Sequence, residues 1–185
     1  AAVLVVGPGL GQASWGRSLL SAAANAQRPQ VWDADALNLL AVGVVTLPPD
    51  SVITPHPGEA ARLLGVSTQA VQADRPAAAQ ALAQKYKTVV VLKGAGSLIA
   101  SVDGRLALCD HGHPAMATAG LGDVLAGLVG ALMAQKLPAF EAACLAVWLH
   151  ASAGERAGKS GRGLAASDVI PAIRQLLEEQ SPCLN

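Results

Sequence analysis

The sequence carries no excess charge of either sign and has few aromatic residues. Its 185 residues include 13 basic and 13 acidic side chains, so the formal net charge is zero. Binding to nucleic acid requires a basic excess or a basic cluster. Neither is present, and we expect no nucleic-acid partner. Only 3% of the residues are aromatic. The apolar content is therefore mostly Ala, Val and Leu, which favours helices packed on buried strands over an aromatic-rich β-sandwich.

Long apolar runs and paired cysteines are also missing. No stretch approaches the roughly 18 uninterrupted apolar residues of a membrane-spanning helix. The longest candidate, 124–134, is interrupted by glycines, so we expect no membrane partner. Cys109, Cys144 and Cys183 are far apart and form no metal-binding spacing. This pattern predicts reduced thiols and a cytoplasmic location.

Short apolar runs alternate with helical patterns along the chain. Such runs are typical of buried strands in a parallel sheet with helices on both faces. The alternation predicts a single α/β domain over 1–185 with a mostly parallel sheet. The predicted strands are 3–6, 30–33, 51–54, 88–92, 97–101 and 105–109, the last two joined as a hairpin; the predicted helices are 14–26, 34–42, 59–64, 69–85, 122–135, 140–158 and 166–179.

Polar or glycine-rich segments follow the predicted strands. In open α/β sheets, ligands bind beyond the carboxyl ends of the strands. We therefore expect these segments to share one cleft. They are 7–11, 33–35, 54–59, 93–97 and the loop that precedes the helix at 122.

The glycine pair before that helix is the most specific of these features. The backbone amides of Gly120, Leu121 and Gly122 can converge on one point, and the helix N-terminus adds a partial positive charge. The sequence thus predicts an anion hole. Asp123, in the first helical turn, is placed to take a proton from a hydroxyl group beside a bound phosphate. The alternative is that Asp123 merely caps the helix.

Two further loops are candidate ligand contacts. In the segment 93–97, Lys93 supplies a positive charge and the glycines free backbone amides for phosphate. The alternative is a surface loop that leads into the hairpin. His56 stands between two prolines that stiffen its loop, so it is either a ligand contact or part of a helix cap. The turn 7–11 is a weak match to a dinucleotide fingerprint, and His150 is expected to be a hydrogen-bonded core histidine.

Four ordered segments together resemble a known family. TPHPGE, VVLKGAGSLIA, GHPAMATAGLGDVLAG and AVWLHASAGERA are similar to segments of the ADP/ATP-dependent NAD(P)H-hydrate dehydratases. The resemblance covers nearly the whole chain. It implies a ribokinase-like fold and dehydration of the 6-hydroxy hydrates of NADH and NADPH (NADHX and NADPHX), driven by ADP or ATP with Mg²⁺.

The resemblance also implies roles for individual residues. Asp123 acts as the base and, with Gly9 and His56, contacts the hydrate substrate. The anion hole is formed by Gly120, Leu121 and Gly122. The adenine nucleotide lies along Gly122 and the loop composed of Lys93, Gly94, Ala95, Gly96 and Ser97. No metal ligand is assigned.

Family members often carry an epimerase domain in the same chain, and the resemblance suggests a homotetramer. Relative to the family pattern, this sequence is expected to lack the first βαβ segment of the domain. Two alternatives remain: a small-molecule kinase of the same fold, such as a vitamin or thiazole kinase, and a non-catalytic nucleotide-binding remnant.

Overall fold

A computed structural model describes residues 2–159, 161 and 163–181, so Cys183 lies outside the described residues. It contains a six-stranded sheet whose strands follow chain order from one edge to the other. The first four strands are parallel, and the last two pair antiparallel. The mostly parallel sheet is as predicted. The strands are β1 (Leu4–Val6), β2 (Gln30–Trp32), β3 (Ser51–Ile53), β4 (Val89–Leu92), β5 (Ser97–Ala100) and β6 (Leu106–Cys109).

Helices cover both faces of the sheet. Side chains alternate between the faces along each strand, so Val31 contributes to one hydrophobic cluster and the adjacent Trp32 to the other. One face packs against helices of the first half of the chain, and the opposite face packs against two helices of the second half. The helices are α1 (Ser14–Ala24), α2 (Asp35–Ala41), α3 (Pro57–Leu64), α4 (Thr68–Ala73), α5 (Arg75–Tyr86), α6 (Leu121–Ala134), α7 (Ala139–Gly158) and α8 (Ala166–Gln180).

The prediction of one helix over 69–85 is wrong. Asp74 lies between α4 and α5, and its side chain accepts a hydrogen bond from the Ala77 amide at 2.9 Å. Pro76 follows at the start of α5, where its missing N–H costs nothing. The side-chain cap and the proline therefore start a new helix at Arg75.

The predicted hairpin is confirmed by the antiparallel pairing of β5 with β6. It places the loop 93–97 between β4 and β5, directly after the last parallel strand. No helix in the described residues is long and apolar enough to cross a membrane.

Candidate active site

The loops after β2, β3 and β4 meet at the carboxyl edge of the sheet. Backbone hydrogen bonds continue between them past the ends of the strands. The Thr54 amide donates to the Trp32 carbonyl at 3.1 Å, and the Lys93 amide donates to the Pro55 carbonyl at 2.9 Å. Three of the segments expected to share a cleft are therefore held side by side.

A buried ion cluster joins these loops. The Lys93 Nζ lies 2.6 Å from Asp33 Oδ1 and 3.9 Å from Glu59 Oε2. Asp33 is only 1% exposed, whereas 19% of the Lys93 side chain remains accessible. Removing one partner of such a pair leaves a buried, uncompensated charge. The ammonium group is thus held in place while part of the lysine still faces solvent.

The start of α6 approaches this cluster closely at Gly122. A Cβ at this position would lie 3.2 Å from Lys93 Nζ and 3.4 Å from Asp33 Oδ2. A larger residue would be in tight contact with the charged groups. The first amides of α6 have no intrahelical acceptor, so they and the ammonium group border the same small space.

A cleft of about 750 Å³ opens beside Lys93 and Gly122. It lies between the loop 93–97, the segment that follows β6, and the facing sides of α6 and α7. Eight of the predicted site residues line it. These are His56, Lys93, Gly94, Ala95, Gly96, Ser97, Leu121 and Gly122.

The other predicted site residues lie outside the cleft lining. Gly120 immediately precedes α6, and Asp123 is exposed in its first turn, next to Gly122. Gly9 follows β1 and is also exposed. The structure thus brings the loop 93–97 together with the start of α6, and it leaves Asp123 beside Gly122 in the first turn of that helix and Gly9 further along the sheet edge.

His56 caps a helix and also lines the cleft, while its contact with a ligand stays a prediction. Its Nδ1 accepts a hydrogen bond from the Gly58 amide at 3.0 Å, and its own amide donates to Glu59 Oε2 at 2.8 Å. These bonds form a capping box at the start of α3. The side chain is nevertheless half exposed and lines the cleft. The cap therefore fixes an imidazole whose Nε2 lies 3.5 Å from Glu59 Oε1.

His150 is buried as expected, but it is not fully hydrogen-bonded. It is 8% exposed, and its Nε2 has no partner among the described residues. Burial lowers the pKa of His150 to about 4, the positive charge of Lys93 acts in the same direction, and a backbone hydrogen bond at Leu121 opposes the shift. A neutral imidazole therefore lies against the start of α6.

The cleft wall after β6 was missed by sequence reasoning. Glu155 of α7 accepts hydrogen bonds from the Gly112 amide at 2.8 Å and lies 3.1 Å from His111 Nδ1. The bond from the Gly112 amide is the main reason why the pKa of Glu155 is lowered. The partners are more than forty residues apart in sequence, so no local pattern announces them.

Metal ligands are not gathered in this site by the protein alone. In the part of the chain that the structure describes, no group of three or more His, Cys, Asp or Glu side chains could hold a metal ion. The donor groups at the cleft are instead suited to an anion. Lys93 supplies an ammonium group and the start of α6 supplies backbone amides.

Comparison with known proteins gives the family. A family model described as NAD(P)H-hydrate dehydratase matches residues 1–175. The chain belongs to the NAD(P)H-hydrate dehydratase family. The bifunctional NAD(P)H-hydrate repair enzyme of Escherichia coli K12 is 45% identical over 184 residues, which cover 96% of this chain and 35% of that enzyme. The chain thus spans about a third of the length of this relative.

Two solved structures share the fold of this chain. An ADP/ATP-dependent NAD(P)H-hydrate dehydratase from Bacillus subtilis, crystallised with ATP/Mg²⁺, is 29% identical with a TM-score of 0.84, covering 96% of this chain and 64% of that one. A ribokinase-like protein from Enterococcus faecalis is 28% identical with a TM-score of 0.88, covering 98% and 64%. The ribokinase-like fold expected from the sequence is confirmed.

Proposed function

We propose that this domain dehydrates the 6-hydroxy hydrates of NADH and NADPH and consumes ADP or ATP in doing so. The observation that carries the proposal is the juxtaposition of the loop 93–97, Lys93 and the start of α6 around one cleft, with Asp123 at its border. The family assignment, together with the ADP/ATP-dependent relative from B. subtilis, supports this choice of substrates.

In this proposal the nucleotide binds along the loop 93–97, with its phosphates near Lys93 and the amides of α6. The hydrate binds from the side of His56 and Gly9, so that its hydroxyl group reaches Asp123. Backbone amides and a fixed ammonium group need no reorganisation as negative charge develops on the transferred phosphoryl group. Positioning and electrostatic stabilisation would therefore supply most of the rate enhancement.

The reaction would proceed in two steps. Asp123 takes the proton of the substrate hydroxyl while the hydroxyl oxygen attacks the terminal phosphorus of ADP or ATP, releasing AMP or ADP. The resulting phosphate ester then loses inorganic phosphate with the electron pair of its C–O bond. A proton leaves the adjacent carbon, and the double bond of the reduced nicotinamide is restored. Phosphate replaces hydroxide as the leaving group.

Mg²⁺ fits this site as a partner of the nucleotide. Mg²⁺ is commonly bound by one or two carboxylates together with substrate phosphates, which matches a site where the described residues form no metal-binding group of their own. Asp33 and Glu59 are the carboxylates nearest to Lys93, but they are buried against it and do not line the cleft, so phosphate oxygens and water would supply most ligands of the ion. When bound, the ion would neutralise phosphate charge.

The direct test is recovery of the reduced-nicotinamide absorbance after the hydrate of NADH is mixed with the protein and ADP or ATP. Replacing Asp123 by Asn should lower kcat about 10²- to 10⁴-fold, because the general base is removed. Asp50→Asn is the matched control. Asp50 lies in an exposed turn with φ 56°, a conformation that asparagine tolerates, and this variant should keep wild-type activity.

Other outcomes of this assay would point elsewhere. Formation of a stable phosphorylated alcohol without recovered absorbance would identify a small-molecule kinase. Nucleotide binding with neither product would identify a non-catalytic binding domain. Full activity of the Asp123→Asn variant would refute the assigned base.

We also propose that the domain works within a longer enzyme that carries epimerase activity and assembles as an oligomer. The bifunctional E. coli relative, which is much longer than this chain, supports the proposal of a longer enzyme. Apolar side chains exposed near the β1 edge support a covering segment, since Val5 is 42% and Trp15 68% exposed. A higher thermal midpoint for a chain extended before β1 would support this covering, and equal midpoints would contradict it.

A further inference from the structure

Arg75 reaches from the first residue of α5 to the loop after β4. Its Nη1 donates to the Ala95 carbonyl at 2.6 Å, and its Nη2 lies 3.3 Å from the Leu92 carbonyl and 3.4 Å from the Lys93 carbonyl. One guanidinium group thus binds three carbonyl oxygens of a single turn. The planar fork of arginine suits this geometry, and the single ammonium group of lysine does not reproduce it.

The remaining carbonyl of this turn is also bound. Ser97 Oγ donates to the Gly94 carbonyl at 3.2 Å. All four carbonyls from Leu92 to Ala95 therefore accept a hydrogen bond from a side chain of the protein. By contrast, the amides of Gly94, Ala95 and Gly96 have no hydrogen-bond acceptor in the part of the chain that the structure describes. Such a run of unpaired amides makes an anion-binding concavity, and these three residues line the cleft.

The contact between Arg75 and the loop is close. Gly94 has φ 149°, and a Cβ built on it would lie 2.8 Å from Arg75 Nη2. The glycine therefore allows the backbone to pack directly on the guanidinium group. The conformation of the turn and the position of Arg75 depend on each other.

We propose that Arg75 is the positioning residue of the nucleotide site: by binding the carbonyls of the loop it directs the amides of Gly94, Ala95 and Gly96 towards the phosphate-bearing nucleotide. Arg75 itself does not touch the ligand. This inference rests on the proposed function of the loop 93–97. It adds a residue that lies in another helix and belongs to none of the ordered motifs.

The test is binding of ADP to the whole chain by titration calorimetry. Arg75→Met should raise the Kd for ADP about tenfold to hundredfold, because the charged hydrogen bonds that orient the loop are lost. Arg75→Lys should recover only part of this loss. Gln84→Met is the matched control, since Gln84 is on the same helix and donates to the Val102 carbonyl at 2.8 Å, away from the loop. This variant should bind ADP like the wild type.

Two readouts separate positioning from a general structural role. With saturating ADP, kcat and the KM for the hydrate should stay within about twofold of wild type in Arg75→Lys, because only nucleotide binding is weakened. Adding guanidinium ion at millimolar concentration to Arg75→Ala should restore part of the ADP affinity. A general loss of structure would change all these quantities together and would not be rescued.

The outcomes distinguish this inference from the function on which it rests. A wild-type chain that does not bind ADP would overturn both. Wild-type binding that is unchanged in Arg75→Met and Arg75→Lys would overturn only the role of Arg75. If Arg75→Met does not fold, the ADP affinity of Arg75→Lys decides, because that variant keeps the charge and the aliphatic stem of the side chain.

Discussion

Two glycine-rich loops follow parallel strands of the same sheet, and they differ in which polar groups they leave free. In the loop 7–11 after β1, the Gly11 amide donates to Asp35 Oδ2 at 2.9 Å, and the neighbouring Gln12 side chain binds the same carboxylate. In the loop 93–97 after β4, the carbonyls are bound by Arg75 and Ser97 while three amides stay unpaired. Glycine spacing makes both turns, but distant partners decide which backbone groups of each turn are bound within the protein.

The largest effect should come from Lys93, the charged group of the second loop. Lys93→Met leaves Asp33 buried without its 2.6 Å partner, so the free energy of unfolding should fall by about 3–5 kcal/mol. Urea denaturation measures this loss. The double variant Asp33→Asn with Lys93→Met should regain much of the stability while ADP binding stays weak. Equal stability of the single variant and the wild type would show that the pair is not buried as described.

Acid should destabilise the folded chain through His150, which belongs to α7 and lies against the start of α6. The pKa of His150 in the folded chain is about 4, below the roughly 6.5 of an unperturbed histidine. The unfolded chain therefore takes up the proton first, and stability present above pH 6.5 is lost as the pH falls towards 4. The loss is about 3 kcal/mol at most.

Denaturation curves between pH 4 and 7 measure this dependence. His150→Phe removes the titrating group, so its stability should vary less with pH than that of the wild type. The same slope in both proteins would contradict the assignment to His150.

Adding one methyl group to each loop compares them directly. Gly94→Ala should raise the Kd for ADP about tenfold or more, because the new Cβ displaces Arg75. Gly11→Ala has open space around its Cβ but keeps φ 73°. It should cost about 1 kcal/mol of stability from the left-handed backbone and leave ADP binding unchanged. Calorimetry and thermal denaturation of the two variants separate these effects, and equal losses of ADP affinity would show that the loops do not differ.

The smallest effect should come from removing the side chain that binds the loop 7–11. Asp35→Ala removes the acceptor of the Gly11 amide, and the expected loss of stability is about 1 kcal/mol. The proposed contact of Gly9 with the hydrate predicts a severalfold higher KM for the hydrate, whereas ADP binding should not change. A reduced ADP affinity with an unchanged KM for the hydrate would reverse the roles proposed for the two loops.

The local sequence was sufficient to predict most strands and helices and the loops that line part of the cleft. The β-branched runs predicted the strands, and Asp103 and Gly104 lie in the turn of the β5–β6 hairpin. Because ligands bind beyond the carboxyl ends of parallel strands, the sequence also grouped Asp33 with His56 and Lys93. The prediction of a single helix over 69–85 is wrong because it gave the apolar content of the segment more weight than Pro76 and the capping Asp74, which interrupt it. Asp33 and Glu59 as partners of Lys93 followed only once the strands were placed side by side.

The sequence by itself determined the α/β fold, the glycine turns after the strands and the resemblance to the family, because these depend on local backbone preferences and on ordered motifs. The tertiary structure decided which groups meet. Asp33 and Lys93 are 60 residues apart, and Arg75 lies 17 to 20 residues before the carbonyls that it binds. Hydrogen bonds and ion pairs act over a few ångströms in space, and separation along the chain does not enter their energy. The local sequence of the loop 93–97 therefore does not indicate that its carbonyls are bound by Arg75 and Ser97.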